Sequence, residues 1–377
     1  MRIVHIITGL GDGGAEHALF KICKYDKENK HIIISLKGPG KYYSLLNKLK
    51  IDVNCLNFKF FSIFKFFYLI KLIRTLRPDV VQTWLVHADF IGGVAAKLAG
   101  IDNILWNIRY SKIEKGKAKF TTIFIIKILS LLSYFVPKLI ITVSKNAKKI
   151  YEDIGYKKQI IKYIPNGYDF SILKINNKEK KNFRRKYKLN NNIPIIGTVA
   201  RYDPQKDHLN LLTALSIIKK KKINFICVLI GYKINTNNHL LMSDIKRLNI
   251  LNNIKLLGPK NNITEIMNGL DLHILSSSYG EGFPNVVAEA MACGTPCIVT
   301  NVGDSALVVG KNGWVVPPKN SHKLAKTIEV ALKKKKIKNN WIRRCKEARL
   351  RIKHKFNISK IINLYNKSWL KVYKRKN

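Results

Sequence analysis

The stretch LHILSSSYGEGFPNVVAEAMACGTPCIVT, residues 272–300, contains a complete strand–loop–helix–strand pattern. Two short apolar runs, LHIL and CIVT, are separated by a loop rich in serine and glycine and by the helix-like segment VVAEAMACG. Pro284 suits the first position of that helix, and Gly294 is a typical residue just past a helix end. Short apolar runs without alternation, on either side of a helix, predict parallel strands that are buried on both faces.

The same alternation extends through the chain on both sides of this stretch. Strand-like runs such as RIVHIIT, DVVQTW and LIITVS alternate with helix-like ones, and the pattern restarts with IPIIGTVAR after the turn signal at Asn166 and Gly167. This order predicts an α/β fold of two doubly wound, Rossmann-like domains that face a central cleft. We expect an N-terminal domain over residues 1–166, a C-terminal domain over 167–360, and a basic helix or tail over 361–377 that could return to the N-terminal domain.

The charge balance of the 377 residues is extreme, with 69 Lys and Arg against 23 Asp and Glu, a formal net charge of +46. Such a chain would attract nucleic acid, an anionic membrane surface or small phosphorylated ligands. A biased, lysine-rich genome is an alternative explanation for any single surface lysine. No helix-turn-helix, zinc or aromatic-sheet signature supports nucleic acid as a specific partner.

The six cysteines form neither a disulfide framework nor a zinc motif, because Cys293 and Cys297 flank only GTP and lack a second pair. Buried thiols of this kind fit a reducing cytoplasm. Arg2 leads directly into a strand-like run, so no signal peptide is expected. The longest apolar segment, residues 121–143, is interrupted at Lys127 and predicts a buried helix plus a strand rather than a membrane span.

Two strand-end loops of the predicted C-terminal domain carry charged side chains. Arg201 and Lys206 lie in VARYDPQKDH, where two cations could clamp a diphosphate and stabilise its charge as it leaves. The free amides near Phe283–Val286 and the helix dipole make a second anion site. Glu281 and Glu289 would repel a phosphate, but carboxylates accept hydrogen bonds from hydroxyl groups. A nucleoside diphosphate sugar offers both kinds of group; solvated surface charges are the structural alternative.

The N-terminal loop GLGDGG, residues 9–14, matches the glycine pattern of dinucleotide-binding folds. That fingerprint also needs an acidic residue at the end of the second strand, where this chain has Lys37, so a nicotinamide cofactor is not expected. Gly13 and Gly14 still allow the backbone to approach a phosphate or a sugar at a helix N-terminus. In the alternative interpretation, Glu16 caps that helix.

Three further candidates lie in the predicted N-terminal domain. His87 comes just after DVVQTW, on that domain's side of the expected cleft, although a lone histidine is more often structural. Asp89 could orient His87 or cap the following helix, and the cap is the favoured interpretation. Asn107 and Arg109, in WNIRYS, are candidate contacts to an acceptor.

These motifs together resemble those of the family-4 retaining glycosyltransferases of the GT-B fold. The resemblance rests on GLGDGGAE at 9–16, VPKLIITVS at 136–144, IPNGYD at 164–169, VARYDPQKDH at 199–208, EGFPNVVAEAMACGTPCIVTNVGD at 281–304 and GWVVPPKN at 313–320. It therefore covers nearly the whole chain. The block with two glutamates is highly specific, whereas the N-terminal glycine loop alone would be weak.

The resemblance implies a role for each candidate residue. Glu289 would bind the ribose and Glu281 the donor sugar, with His87 near the reacting carbon. Arg201 and Lys206 would hold the diphosphate. The loop residues that would surround the sugar and phosphate are Gly282, Phe283, Pro284 and Asn285. The family usually works without a metal, this chain has no Asp-x-Asp motif, and no cofactor is expected because the nucleotide sugar is a substrate.

The acceptor is expected to be a lipid-linked glycan. The segment FKFFSIFKFFYLIKLIRTLRP, residues 58–78, mixes aromatic and basic residues, which favours an anionic membrane surface. Its cations are Lys59, Lys65, Lys71, Arg74 and Arg77. We expect retaining sugar transfer, with UDP as the nucleotide, in bacterial lipopolysaccharide, O-antigen or capsule synthesis at the inner face of the cytoplasmic membrane. The alternatives are a nucleotide-sugar epimerase of the same fold and a basic nucleic-acid-binding protein.

Overall fold

The computed structural model describes residues 1–58, 62–109 and 120–374. The chain divides into two compact units, one formed by Met1–Gly167 together with Ile358–Asn377 and the other by Tyr168–Asn357. Gly167 and residues 358–360 therefore lie in the first unit, whereas the sequence assigned them to the C-terminal domain.

The first unit contains a seven-stranded parallel sheet with the strand order β3-β2-β1-β4-β5-β6-β7. The strands are Arg2–Ile7 (β1), Lys30–Ser35 (β2), Asp52–Cys55 (β3), Val80–Trp84 (β4), Ile104–Ile108 (β5), Leu139–Thr142 (β6) and Ile161–Tyr163 (β7). The central strands β4 and β5 are buried at every position, as expected for parallel strands covered on both faces.

Helices cover both faces of this sheet. They are Gly14–Tyr25 (α1), Lys41–Lys48 (α2), Ile63–Leu76 (α3), Val86–Leu98 (α4), Phe120–Leu132 (α5) and Lys145–Ile154 (α6). Buried residues of α3, α4 and α5 share one core with one face of the sheet, and those of α1 and α2 share a second core with the other.

The second unit contains a six-stranded parallel sheet with the order β10-β9-β8-β11-β12-β13. Its strands are Ile195–Val199 (β8), Ile226–Ile230 (β9), Ile254–Leu256 (β10), Leu272–Leu275 (β11), Cys297–Thr300 (β12) and Trp314–Val316 (β13). Its helices are Asn177–Lys186 (α7), His208–Lys220 (α8), His239–Arg247 (α9), Ile263–Gly269 (α10), Asn285–Ala292 (α11), Ser305–Val309 (α12), Ser321–Lys336 (α13) and Lys338–Phe356 (α14). The prediction of two doubly wound, Rossmann-like domains is confirmed.

The C-terminal helix Ile358–Lys374 (α15) packs in the first unit. Ile361, Tyr365 and Trp369 are buried in the core that also holds residues of α1, α2 and β1. The Trp369 indole donates a 2.6 Å hydrogen bond to the side chain of Gln82 on β4. This helix therefore completes one face of the first sheet.

In each sheet the strand order reverses once, between β1 and β4 in the first unit and between β8 and β11 in the second. Loops on the two sides of such a reversal diverge and leave a crevice beyond the carboxyl ends of the strands, where ligands of these folds bind. The glycine loop and His87 follow β1 and β4, and Lys206 and Glu281 follow β8 and β11. Asn107 and Arg109 lie at the end of the neighbouring strand β5.

The apolar segment 121–143 forms α5 and β6, which confirms the predicted helix and strand. The predicted burial of the helix is wrong on one side, because Phe120, Phe124 and Leu131 are exposed. Among the described residues, no helix is both long and apolar enough to cross a membrane. A continuous apolar run could not indicate which side of its helix would face solvent.

Candidate active site

The loops after β8 and β11 are tied together at the strand reversal of the second unit. Ser278 donates its backbone amide to the Gln205 carbonyl at 2.9 Å, and the Gln205 side chain donates to the Gly280 carbonyl at 2.8 Å. Ser276 donates its hydroxyl to the Lys206 carbonyl at 2.9 Å. Both predicted charged loops are therefore held against each other by hydrogen bonds to backbone carbonyls.

Lys206 and Glu281 form an ion pair in which Nζ lies 2.5 Å from Oε1. Ser277 donates its hydroxyl to the same carboxylate oxygen, and its own carbonyl accepts a 2.6 Å hydrogen bond from Thr300. Glu281 is only 7% exposed. The sequence placed Lys206 and Glu281 on different parts of a ligand, and neither their direct contact nor the role of Ser277 was predicted.

Arg201 is more exposed than Lys206 and is held by its own loop. Its Nε lies 2.9 Å from an Asp203 carboxylate oxygen, and its Nη2 donates to the Gln205 side chain at 3.2 Å. The side chain is about half exposed, at 48%. Arg201 is thus a solvated cation in the loop after β8, five residues before Lys206 of the buried ion pair.

The helix α11 begins one residue later than predicted, because Pro284 is its N-cap residue rather than its first helical residue. Phe283 is buried between the rings of Tyr168 and Phe356, and Asn285 accepts a 2.6 Å hydrogen bond from the Tyr168 hydroxyl. These two side chains therefore support the loop. The first amides of a helix have no acceptor within the helix, so the backbone is the part of this turn suited to bind an anion.

Gly303 fixes the backbone of this loop. Its φ of +57° lies in the left-handed region, and a Cβ at this position would lie 2.0 Å from the Glu281 carbonyl oxygen. The next residue, Asp304, donates its amide to the Gly282 carbonyl at 3.0 Å. The turn after β12 is therefore shaped around Glu281 and Gly282.

Glu289 is half-buried on α11, four residues after Asn285. That spacing places it about 6 Å further along the helix axis. Burial of the Cys293 thiol, and then the charge of Glu289, raise the pKa of that thiol to about 12. Glu281 thus lies in the loop before α11, whereas Glu289 lies on the helix itself.

Two buried histidines near Lys206 were not predicted as site residues. Burial and then the charge of Lys206 lower the pKa of His273 to about 3, and the same two causes lower that of His208 to about 4. Neither ring has a hydrogen-bond partner among the described residues. Both rings are therefore neutral near pH 7 and add no charge beside Lys206.

In the first unit, a strained backbone precedes His87. Leu85 has φ +75° and ψ 152°, a combination that residues other than glycine rarely adopt and that costs on the order of 1–3 kcal/mol. The helix α4 starts at the next residue, and the His87 side chain is exposed. Burial of part of the ring, and then the charge of Lys37, lower the pKa of His87. His87 is thus an exposed imidazole with a lysine nearby.

The predicted capping role of Asp89 is corrected by the structure. Its buried carboxylate accepts a 2.5 Å hydrogen bond from the Thr83 hydroxyl and another from the Asn107 backbone amide. Burial raises the pKa of Asp89 to about 7 despite these two bonds. Asp89 therefore joins α4 to strands β4 and β5 from within the first unit.

Asn107 and Arg109 both bind the hydroxyl group of Tyr365 on α15. The Asn107 amide donates at 3.1 Å and the Arg109 guanidinium at 3.2 Å, and Arg109 also donates to Asn166 at 2.8 Å. Asn107 is fully buried, whereas Arg109 is partly exposed and lies over the Trp84 ring. Of these two acceptor candidates, only Arg109 has surface that a ligand could reach.

The glycine loop supports the capping interpretation of Glu16. Gly13 is the N-cap of α1 and Gly14 its first residue. A Cβ on Gly13 would lie 2.3 Å from a Glu16 carboxylate oxygen, and that carboxylate accepts a hydrogen bond from its own backbone amide. Burial raises the pKa of Glu16, while Arg109 nearby opposes that shift.

Among the described residues, one group of side chains is close enough to hold a metal: His5, Cys23 and His31 in the core of the first unit. Their ring nitrogens already have partners. Trp84 donates to Nδ1 of His5 at 3.2 Å. Nε2 of His5 lies 2.9 Å from Nδ1 of His31, and Nε2 of His31 lies 3.2 Å from a carboxylate oxygen of Asp26. This hydrogen-bond chain accounts for the cluster without a metal.

Two family models match the chain. The model described as Glycosyltransferase Family 4 matches residues 12–171, and the model described as Glycosyl transferases group 1 matches residues 179–348. The two matches lie one after the other and together include most of both units.

Curated relatives and solved structures agree with these matches. The chain is 28% identical over 254 residues to the Escherichia coli UDP-Gal:alpha-D-GlcNAc-diphosphoundecaprenol alpha-1,3-galactosyltransferase, a match that covers 64% of this chain and 62% of that relative. It is 24% identical over 368 residues to the Campylobacter jejuni N,N'-diacetylbacillosaminyl-diphospho-undecaprenol alpha-1,3-N-acetylgalactosaminyltransferase, covering 93% of this chain and 95% of that one. The crystal structure of Anabaena HepE in complex with UDP is similar in fold, with a TM-score of 0.85 at 21% identity over 98% of this chain and 99% of that one. The chain therefore belongs to the family-4 glycosyltransferases of the GT-B fold.

Proposed function

We propose that this glycosyltransferase transfers a hexosyl or N-acetylhexosaminyl group from a UDP-sugar to a hydroxyl group of a lipid-linked glycan, with retention of anomeric configuration. The proposed setting is bacterial surface glycan synthesis, such as lipopolysaccharide, O-antigen or capsule, at the inner face of the cytoplasmic membrane. The names of the E. coli and C. jejuni relatives contain diphosphoundecaprenol-linked sugars, which supports a lipid-linked acceptor. The UDP complex of a structure with the same fold supports the choice of nucleotide.

The observation that carries the donor proposal is the geometry around Glu281. Among the described residues, the hydrogen bonds to its carboxylate from Lys206 and Ser277 both reach Oε1. The second oxygen, Oε2, is then oriented by these contacts and can accept a hydrogen bond from a sugar hydroxyl group. A buried carboxylate fixed in this way selects a neutral ligand with a donor group and disfavours a phosphate at the same point.

Charge stabilisation of the leaving group is the main chemical contribution that we propose for this site. The bond between the anomeric carbon and the diphosphate oxygen breaks, and negative charge grows on the diphosphate. Lys206, Arg201 and the first amides of α11 would stabilise that charge. The departing phosphate oxygen would accept the acceptor's proton, and the acceptor oxygen would bond to the same face of the sugar. No protein nucleophile is needed in this scheme.

The test is to screen the purified protein against a panel of nucleotide sugars for binding, and then to determine the product's anomeric configuration by NMR. We expect a UDP-sugar to bind most tightly and the product to keep the donor's configuration. An inverted product would contradict retention. Release of an isomerised nucleotide sugar in the absence of acceptor would indicate an epimerase instead.

Glu289→Ala is expected to weaken UDP binding by about ten- to a hundredfold, because a hydrogen bond from the ribose to a carboxylate contributes roughly 1.5–3 kcal/mol. Glu281→Ala should instead lower turnover while UDP still binds, since its proposed partner is the sugar. Calorimetry measures the UDP affinity of both variants. Glu347→Ala on α14, a half-exposed helix glutamate of the same unit, is the matched control. Unchanged UDP affinity in Glu289→Ala would remove the ribose contact.

Chelator is expected to leave the transfer rate nearly unchanged, because in the proposed scheme Lys206, Arg201 and the helix amides meet the diphosphate charge. The measurement is the initial rate with and without EDTA, after dialysis against the chelator. Loss of activity that magnesium or manganese restores would overturn the metal-independent proposal.

A further inference from the structure

Two helices of the first unit expose large apolar side chains along their outer sides. On α3 these are Ile63, Phe64, Phe67 and Tyr68, and on α5 and the residues that follow it they are Phe120, Phe124, Leu131, Tyr134 and Phe135. Phe64 and Phe120 are each 83% exposed. On α3 successive positions of the set are one or three residues apart, and on α5 they are four and seven residues apart. Such spacings place each set on one side of its helix. Soluble monomers rarely expose so many large apolar residues close together.

Both sets lie on the same side of the unit. The inner residues of α3, Leu69, Ile70 and Ile73, and those of α5, Ile126 and Leu129, are buried in the same core against one face of the first sheet. The helix α4 contacts both α3 and α5 and lies between them in that layer. Because the inner sides of both helices face the sheet, their outer sides face away from it together.

The charges on α3 and α5 themselves are all positive. Neither α3 nor α5 contains an acidic residue. Lys71, Arg74 and Lys127 are exposed between or beside the apolar positions. Lys65, a predicted membrane contact, donates instead to the carbonyls of Leu56 and Asn57 at 2.8 and 2.6 Å. Lys59, also predicted, lies outside the described residues.

We infer that the outer sides of α3 and α5 form a single docking face whose occupant is an anionic lipid bilayer. Aromatic side chains interleaved with cations match the boundary between acyl chains and anionic headgroups. A second copy of this chain fits less well, because α3 and α5 carry cations and no acid, so the same helices of two copies would oppose cation to cation. The docking face is argued from residues of the first unit alone. Only its biological purpose, access to a lipid-linked acceptor, rests on the proposed function.

The position of the face relates it to the candidate site. In right-handed strand–helix–strand connections the helix runs back along the sheet, so its N-terminus lies at the carboxyl edge of the strands. Phe64 and Phe67, and Phe120 and Phe124, occupy the N-terminal parts of α3 and α5. They are therefore at the same edge of the first sheet as His87. A bilayer bound there would present a lipid-linked acceptor close to that edge.

The test compares two double variants in vesicle sedimentation. The first variant, Phe124→Gln with Leu131→Gln, alters two side chains of the face on α5 that are 58% and 70% exposed. The second, Leu251→Gln with Leu240→Gln, is the control. It alters two side chains of the second unit that are 51% and 71% exposed. With vesicles of phosphatidylcholine and phosphatidylglycerol in equal parts, we expect the first variant to lose vesicle affinity by about tenfold or more. The second variant should bind as the unmodified protein does.

A charge variant tests the choice of an anionic surface. Lys71→Gln with Lys127→Gln should bind phosphatidylcholine vesicles as the unmodified protein does but lose most of its preference for those with phosphatidylglycerol. Binding of the unmodified protein should also fall as salt rises, because exposed charges are screened beyond about 8–10 Å near physiological ionic strength. Equal binding of the unmodified protein to both kinds of vesicle would overturn the electrostatic part.

Three other outcomes would overturn the docking face: vesicle affinity unchanged in the α5 variant, an equal loss in the Leu240 and Leu251 control, or a dimer that the α5 variant dissociates. UDP binding by the α5 variant, measured by calorimetry, separates this inference from the proposed function. Loss of vesicle binding with normal UDP binding supports the face. Absence of UDP binding in the unmodified protein counts against the proposed donor, while the vesicle comparison still decides the face.

Discussion

Lys206→Met is expected to lower kcat by about 100- to 1000-fold, which is the usual cost of removing one donor that stabilises charge in a transition state. The methionine keeps much of the aliphatic volume of the lysine but removes the charge. The effect should fall mainly on kcat, because the charge of the leaving diphosphate grows between the bound state and the transition state. Steady-state kinetics with the best UDP-sugar measures it.

The matched control is Lys180→Met, which removes another lysine that pairs with an acid of the second unit, at 3.0 Å from Asp271. That variant should keep its kcat, even if it lowers the melting temperature. A double-mutant cycle of Lys206→Met with Glu281→Gln then tests whether the pair acts as a unit, since coupled residues give strongly non-additive effects. Full activity in Lys206→Met would remove Lys206 from the chemistry.

Gly303→Ala is expected to reduce turnover by about 100-fold or more and to destabilise the second unit. The added Cβ would lie 2.0 Å from the Glu281 carbonyl oxygen, so either the turn after β12 or the loop that carries Glu281 must move. A misplacement of about 1 Å in a catalytic group can cost a factor of 100. The positive φ adds the cost of a left-handed conformation, on the order of 1–2 kcal/mol for a residue with a side chain.

Gly258→Ala separates these two causes. Gly258 belongs to the same unit and has φ +65°, but the nearest atom to its added Cβ is 3.9 Å away. It should therefore show the backbone cost in thermal unfolding and keep its turnover. Kinetics should be measured below the melting temperature of both variants. Equal losses of turnover in the two variants would mean that contact with the Glu281 backbone is unimportant.

The positions of the candidate loops could be predicted from sequence, because parallel strands bring their carboxyl ends to one edge. Arg201, Lys206 and Glu281 were therefore placed at the ends of the correct strands. Their contacts could not be predicted, since Lys206 and Glu281 are 75 positions apart and their pairing depends on the loop path in three dimensions. Ser277 was missed for the same reason: serine is common in loops, and only the fold shows that it contacts Glu281.

Two other differences have physical causes. Asn107 was predicted to contact an acceptor, but the sequence could not show that its side-chain amide, at the end of β5, binds the Tyr365 hydroxyl. The outer side of α5 was missed because its sequence is apolar almost all round, a pattern that is usual for a buried helix. The side of α5 that is buried depends on the strand order and on the neighbouring helices. Neither can be read from a single apolar run.

The return of α15 to the first unit has a consequence for how this protein is made. Tyr365 and Trp369 complete the core of that unit, yet a ribosome synthesises them after the whole of Tyr168–Asn357. The second unit is thus inserted between the two parts of the first and can fold while the first still lacks one helix. Asn107 and Arg109, which depend on the Tyr365 hydroxyl, gain their final positions only after the whole second unit has been synthesised. A ribosome-bound chain that lacks α15 would therefore hold a folded second unit beside a first unit whose hydrophobic core is still open to chaperones.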